Sequence, residues 1–315
     1  MIKDKPKDFI VKEELDRDLS DRGEHLVLTV TKRRYNTEDM VEALSQHTNI
    51  GRERFGFAGN KDREAITTQH VSVRGAQPTQ FEGLHLKDID VDVEGYTDAP
   101  LSLGDLAGNE FTITVRGVTA GDIHEEGSFV NYFDTQRFST ANHIIGKHIV
   151  KDRFGEAVNI LQDDDYHGKI IDEHLQKHRN DYKTALRQLP GNLLQLFVHA
   201  YQSQLWNRCV HENLEALGEH DSFPILGFGT RPSNDLEKTV LDDLMDEENI
   251  TPRSFIIRSI PELSAEGTRR DVHKPIYDLD VIENPHGVKL SFYLDKGSYA
   301  TMAVKHVLDD VDIIT

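Results

Sequence analysis

A single cysteine, Cys209, occurs in the 315 residues, so no disulfide can form within the chain and a disulfide-stapled secreted scaffold is excluded. No apolar run approaches the roughly 18–20 residues that would span a bilayer. The opening Met1-Ile2-Lys3-Asp4-Lys5-Pro6-Lys7-Asp8 shows no apolar signal core behind its lysines. Gly227-Phe228-Gly229 lacks the third glycine of a dinucleotide loop, and Gly56-Phe57-Ala58-Gly59-Asn60-Lys61 is not a phosphate-binding loop. His143 and His148 are five apart and do not share a helix face. His174 and His178 are four apart, but no Glu-x-x-His or cysteine pair accompanies them; all four read as surface histidines. Cys209 sits beside Trp206 and Val210 on an apolar helical stretch and reads as a buried thiol. These absences argue against a nucleotide-dependent enzyme, a metalloenzyme or a membrane protein. They predict a soluble, cytoplasmic chain without cofactor or metal; a monomer is a separate expectation.

What is present is a globular composition, 37% hydrophobic and 29% charged, enough for a sizeable core, and a length that suits about two domains. The formal charge of −19 would ordinarily count against a nucleic-acid partner. It is unevenly spread, however: residues 1–75 carry 14 Lys+Arg and 14 Asp+Glu, and the whole surplus lies beyond them. In that neutral stretch Lys32-Arg33-Arg34, Arg52, Arg54, Lys61, Arg63 and Arg74 lie near strand ends and turns. A local basic strip can hold a phosphate backbone whatever the net charge; by charge alone it is equally an ordinary solvated surface. A high-salt cytoplasm is another source of such acidity.

Residues 8–13 and 24–31 read as strands, the second by alternation of Leu26, Leu28 and Val30 with Val27, Thr29 and Thr31. Asn36 or Thr37 caps a helix through Met40, Val41, Ala43 and Leu44. Phe55-Gly56-Phe57-Ala58 leads into a polar turn, and strands follow at 69–74 and 111–116. From about 141 to 218 the helical period takes over, with Leu193, Phe197, Ala200, Tyr201 and Leu205 on one stripe. Asp163-Asp164-Asp165 reads as a solvated loop. Residues 235–248 read as an acidic helix, Phe255-Ile256-Ile257 as a strand, 288–294 as a clear strand, and the stretch after Gly297 as a last amphipathic helix. The ends are β-rich and the middle helical. The economical reading is an α+β domain interrupted by an inserted, mostly helical one.

The densest polar cluster is Gly59-Asn60-Lys61-Asp62-Arg63-Glu64. Lys61 and Arg63 would favour the ionised form of Asp62, a useful state for a nucleophile or base. On spacing alone the cluster is a solvated turn with incidental ion pairs. The longer run Phe57-Ala58-Gly59-Asn60-Lys61-Asp62-Arg63-Glu64-Ala65-Ile66-Thr67-Thr68-Gln69 resembles the catalytic motif of TruD-type tRNA pseudouridine synthases, with the usual glycine one position early. The companions come in the family's order. They are Lys3 with Pro6-Lys7-Asp8-Phe9-Ile10-Val11-Lys12-Glu13, then Gly108-Asn109-Glu110-Phe111, Asn131-Tyr132-Phe133-Asp134-Thr135-Gln136-Arg137-Phe138, and finally Gly297-Ser298-Tyr299-Ala300-Thr301. The likeness spans nearly the whole chain and is weakest at about 155–250.

That resemblance implies a fold and an activity. The fold is a pseudouridine-synthase-like catalytic domain with a mixed or antiparallel sheet, residues 1–150 and 270–315, split by an inserted, mostly helical α/β domain at 151–269. The activity is isomerisation of uridine to pseudouridine in tRNA, usually at position 13, with Asp62 as the catalytic carboxylate and no metal or redox cofactor. Asp62 would act as a nucleophile at C1′ or as the base that forms a glycal-like intermediate; both stay open. The base must leave its stack to be reached. By the same resemblance Phe9 and Phe111 pack around the flipped uracil, Asn109 orients the pocket or the Asp62 loop, and Lys3 and Glu13 supply an ion pair that steers Asp62. Lys32, Arg33, Arg34, Arg52, Arg54, Lys61, Arg63 and Arg137 would hold phosphates. The competing readings are a catalytically silent RNA-binding or RNA-folding module of the same fold, and an acidic protein-interaction scaffold.

Overall fold

A computed structural model describes residues 5–124, 127–164, 166–218 and 222–315. They form two compact units. One holds the residues up to Phe129 and Lys274–Asp310; the other holds Val130–His273 and Val311–Thr315.

The first unit is built on one eight-stranded mixed sheet. Its strands are β1 (Phe9–Leu15), β2 (His25–Arg33), β3 (Phe55–Phe57), β4 (Ile66–Arg74), β5 (Ile89–Thr97), β6 (Leu106–Arg116), β11 (Tyr277–Asn284) and β12 (Gly287–Asp295). They run β11-β12-β6-β1-β4-β2-β5, with β3 added to β4. The β1–β4 pair at the centre is parallel; the pairings around it are antiparallel.

Register decides what this sheet presents. Phe9 lies opposite Ile113, Val11 opposite Phe111 and Glu13 opposite Asn109. Phe111 is in turn opposite Phe292, and Asn109 opposite Leu294. On the other flank Val11 pairs with Thr67, Thr67 with Lys32 and Gln69 with Val30. Opposed residues share a face and successive residues alternate. One face therefore carries Phe9, Glu13, Asn109, Phe111, Phe292, Gln69 and Lys32 side by side. Helix α1 (Thr37–Thr48) buries Met40, Val41 and Leu44 in a core with Leu26, Leu28, Val30, Val71 and Val73 of the same face. It starts because the Asn36 side chain accepts the Asp39 N–H at 2.7 Å and stops at Asn49 in the left-handed region. Helix α9 (Ala300–Val307) follows β12 and buries Ala300, Met302, Ala303, Val304 and Val307.

Asp8, just before β1, takes a two-pronged pair from Arg116 at the end of β6, at 2.9 and 2.8 Å. The hydrogen bond from Arg116 holds its carboxyl below the ordinary range.

Short strands β7 (Ser128–Val130) and β10 (His273–Pro275) carry the chain between the units. The second unit is helical: α2 (Asn142–Val150), α3 (Phe154–Gln162), α4 (His167–Lys177), α5 (Tyr182–Arg187), α6 (Gly191–Glu212), α7 (Leu214–Leu217) and α8 (Asp235–Glu248), with a small pair β8 (Ser222–Ile225) and β9 (Thr268–Asp271). The long α6 is its axis, burying Phe197, Tyr201, Leu205, Trp206 and Cys209. Burial pushes the Cys209 thiol up to about 12. The Asn131–Phe138 motif is structural here. Asn207 of α6 accepts the Phe133 N–H at 2.8 Å and donates to its carbonyl at 3.0 Å. Arg270 stacks 4.0 Å over the Phe133 ring and donates to Asn131.

One sequence expectation of an element fails, and two strands were missed. Phe255-Ile256-Ile257 is no strand: Pro252 sets a tight 3₁₀ turn over Pro252–Phe255, and Phe255 and Ile257 are buried from there. Strands β5 and β11 were not foreseen, because both are sheet edges where Asp90, Asp92, Asp280 and Glu283 replace an apolar stripe. Asp163 and Asp164 lie in a turn as expected, and Asp165 lies outside the described residues.

Candidate active site

Asp62 is exposed on the loop between β3 and β4, and that loop is held at Gly59, Lys61 and Asp62 by buried polar groups. Lys61 turns inward, its side chain 7% exposed, and places Nζ 2.5 Å from Oε2 of Glu13, whose side chain is fully buried. The other Glu13 oxygen accepts the His70 backbone N–H at 3.0 Å. Burial pushes the Glu13 carboxyl up. The hydrogen bonds from His70 and Lys61 and the Lys61 charge outweigh it and hold the group below the ordinary carboxylate range. The Lys61 backbone N–H donates to Thr37 Oγ1 at 2.8 Å, Thr37 donates to Gln69 Oε1 at 3.0 Å, and Gln69 Nε2 closes the ring on the Gly59 carbonyl at 3.2 Å. Gly59 explains itself. A Cβ there would come to 3.1 Å from Lys61 Nζ and 3.2 Å from Glu13 Oε2, crowding the ion pair.

Beside the anchored loop the sheet offers an aromatic surface and one polar group. Phe9 meets Phe111 edge-on at 6.2 Å between ring centroids, and Phe111 stacks on Phe292 at 5.5 Å. All three are buried. Asn109 stands directly across from Glu13; it is half-buried, and its Oδ1 is shielded and has no hydrogen-bond partner among the described residues. Gly108, its neighbour, lets β6 lie close to β12, since a Cβ there would strike the Leu294 carbonyl and the Tyr293 hydroxyl. Gly108→Ala is expected to cost about 1–3 kcal/mol through overpacking against backbone that cannot give way, read as a fall in the urea midpoint.

The expected phosphate-binding cations separate into two groups. Arg33, Arg34 and Arg63 are exposed. Lys32 is a correction: it is fully buried, and its Nζ donates to the carbonyls of Tyr35 at 2.6 Å, Lys61 at 3.2 Å and Asp62 at 3.0 Å. Lys61 is likewise committed to Glu13. Arg52 is half-buried, bound to Glu38 at 2.5 Å and lying over the Phe57 ring, and Arg54 holds the Arg74 carbonyl. Arg137 belongs to the second unit. Lys3 lies outside the described residues; among the described residues Glu13 pairs with Lys61. His143, His148 and His174 are half-buried and only His178 is exposed. No group of three or more His, Cys, Asp or Glu among the described residues is placed to hold a metal ion.

Sequence reasoning did not single out Thr37, Gln69 or Phe292. Gln69 carried a usable signal, for it shares an alternating stripe with Val71 and Val73; a polar residue on such a stripe is buried and must be satisfied. Phe292 was legible as an inward residue of its strand, but its neighbour Phe111 is 181 positions away and only the register brings them together.

The arrangement is an exposed carboxylate on a loop held by buried polar groups, a sheet face that carries three clustered, buried phenylalanine rings and an amide oxygen with no hydrogen-bond partner among the described residues, and an exposed arginine, Arg63, next to the carboxylate in sequence. Comparison with known proteins agrees with that chemistry. The profile of the family described as tRNA pseudouridine synthase D (TruD) matches residues 1–170, 166–223 and 220–307. The chain is 30% identical to a probable tRNA pseudouridine synthase D from Methanopyrus kandleri, covering 91% of this chain and 86% of that one. It is 28% identical to a tRNA pseudouridine synthase D from Aquifex aeolicus, covering 96% and 97%. A crystal structure of a putative tRNA pseudouridine synthase D from Methanosarcina mazei superposes with a TM-score of 0.77 at 25% identity, covering 98% of this chain and 93% of that one. No helix among the described residues is long and apolar enough to cross a membrane.

Proposed function

This chain belongs to the tRNA pseudouridine synthase D family, and from that premise we propose that it converts uridine to pseudouridine in tRNA, at position 13, in the cytoplasm and as a monomer. The observation that carries the reading is the Asp62 carboxylate, exposed while the backbone on either side of it is pinned from beneath.

Pseudouridine formation breaks the N1–C1′ bond, with its electron pair leaving on the uracil N1, and rejoins C1′ to C5 of the same ring, whose hydrogen is then lost as a proton. Asp62 either adds to C1′ as the base leaves or removes the 2′ proton to form a glycal. In both routes the carboxylate must meet a flipped-out nucleotide at fixed distance. A pinned loop gives that constancy without ordering cost at the moment of reaction. Phe9, Phe111 and Phe292 form the wall against which the uracil turns, and Asn109 offers an acceptor at its edge. The sheet-bearing unit, placed by sequence at 1–150 and 270–315, is the catalytic domain, and the helical unit is the family's insertion.

Arg33, Arg34 and Arg63 then hold phosphates. Replacing the three with alanine is expected to weaken tRNA binding evenly across sequences and to reduce the slope of log affinity against log salt by about 0.7–0.9 per lost contact, measured by filter binding over a salt series. The presence of Asp62, Asn109 and Phe111 together counts against a catalytically silent module. The direct test maps pseudouridine in total tRNA with and without the protein, by carbodiimide modification and primer extension. A stop at position 13 that requires the protein supports the reading; unchanged maps refute it.

A further inference from the structure

We propose that Lys32 is the positioning residue of the Asp62 loop, its buried ammonium tying the loop's backbone to the end of β2; this rests on the catalytic reading of Asp62. Lys32 continues the inward stripe Leu26, Leu28, Val30 of β2, where each of those residues is fully buried. A fully buried lysine is rare because removing an ammonium from water is expensive unless its donors are met. Here all three are met, by the carbonyls of Tyr35, Lys61 and Asp62. Two of those acceptors belong to the residue that carries the proposed chemistry and to its immediate predecessor. The third lies on the turn between β2 and α1. The ammonium thus joins that turn to the active loop from below, while Thr37 grips the loop through the Lys61 N–H. Tyr35 and Thr37 are two residues apart, so one turn supplies both attachments.

The charge has a second consequence. The titratable groups facing Lys32 are Asp62, which raises its affinity for a proton, and Lys61, which lowers it; Lys61 is itself paired with Glu13. Burial, opposed by the Asp62 charge and aided by that of Lys61, pushes the Lys32 amine down to about 8. A neutral amine has two N–H donors for three carbonyls, so deprotonation releases one attachment.

The test is Lys32→Met, which keeps the stem and removes the donors. At saturating tRNA, kcat is expected to fall about 100-fold, the scale of a displacement of about 1 Å at a reacting group, while KM and tRNA affinity change less than about threefold because no phosphate contact is lost. Hydrogen exchange of a peptide spanning residues 58–65 should rise, a readout that does not depend on turnover. Wild-type kcat should show an alkaline limb near pH 8 that the variant lacks; the limb from the uracil N3–H, at higher pH, is common to both. Circular dichroism checks folding. If Lys32→Met does not fold, Lys32→Gln, with two donors and no charge, takes its place, and the wild-type pH profile stands by itself. Unchanged exchange in the loop, or a kcat that stays level until the uracil titrates, overturns the proposal. Full kcat with lost tRNA affinity overturns it too and returns Lys32 to the phosphate contacts. A wild-type protein that makes no pseudouridine refutes the functional reading instead, and the exchange measurement still decides whether Lys32 anchors the loop.

Discussion

Asp62→Ala and Asp62→Asn are expected to eliminate pseudouridine formation while leaving tRNA affinity within about 1–2 kcal/mol of wild type, because phosphate contacts dominate that binding. Asparagine makes the sharper test. It preserves the shape and the loop's backbone bonds to Lys32 and Thr37, and removes the negative charge and the basicity. Loss of turnover in both variants, with retained binding by filter assay, assigns the chemistry to the carboxylate. Full turnover by Asp62→Ala would refute the assignment. A parallel loss of binding would instead mean that the loop organises the RNA surface.

The second large effect concerns stability. Lys61→Met leaves the fully buried Glu13 carboxylate facing its site with the compensating cation gone. Breaking one side of a buried pair typically costs about 3–5 kcal/mol, and a loss of that size should appear in urea unfolding at neutral pH. Pairing the change with Glu13→Gln should recover part of it, because the double variant carries no uncompensated charge. The pH dependence has a definite sign. In the wild type the Glu13 carboxyl lies below its ordinary value, so it contributes stability that is fully present above the unfolded carboxylate range near pH 4–4.5 and is lost as pH falls toward the lower folded value. Asp8, held down by Arg116, adds to the same acid limb. In Lys61→Met, burial of Glu13 is no longer opposed by the lysine. The deficit against wild type should therefore shrink on acidification, as the carboxyl takes up a proton. A deficit that grows at low pH would contradict the pairing.

Much of the first unit was legible before any coordinates. The alternation in residues 24–31 and 288–294, the Asn36 cap and the helical change of period near residue 140 all reflect short-range rules, in which side chains two or four positions apart share a face. Edge strands β5 and β11 escaped because acidic residues that protect an edge erase the stripe. The proposed site was legible through resemblance: Asp62, Asn109 and Phe111 stand in contiguous runs that match the family's motifs. Lys32 was misread for an instructive reason. Its neighbours Arg33 and Arg34 suggested a basic strip, whereas its place after Leu26, Leu28 and Val30 meant burial, and the period-two rule should have prevailed.

By itself, then, the amino-acid order determined most of the helices and inner strands and the change to a helical middle, because these are written in local spacing; the role proposed for Asp62 rests instead on the family resemblance of a contiguous run. Tertiary structure alone decided which distant groups lie together near the Asp62 loop and on the sheet face. Glu13 reaches Lys61 across 48 positions and Phe111 reaches Phe292 across 181. Such partnerships depend on sheet register, where a slip of one residue sends every side chain to the opposite face. Burial decided the rest, since the same lysine is a phosphate contact in water and a backbone anchor once three carbonyls surround it.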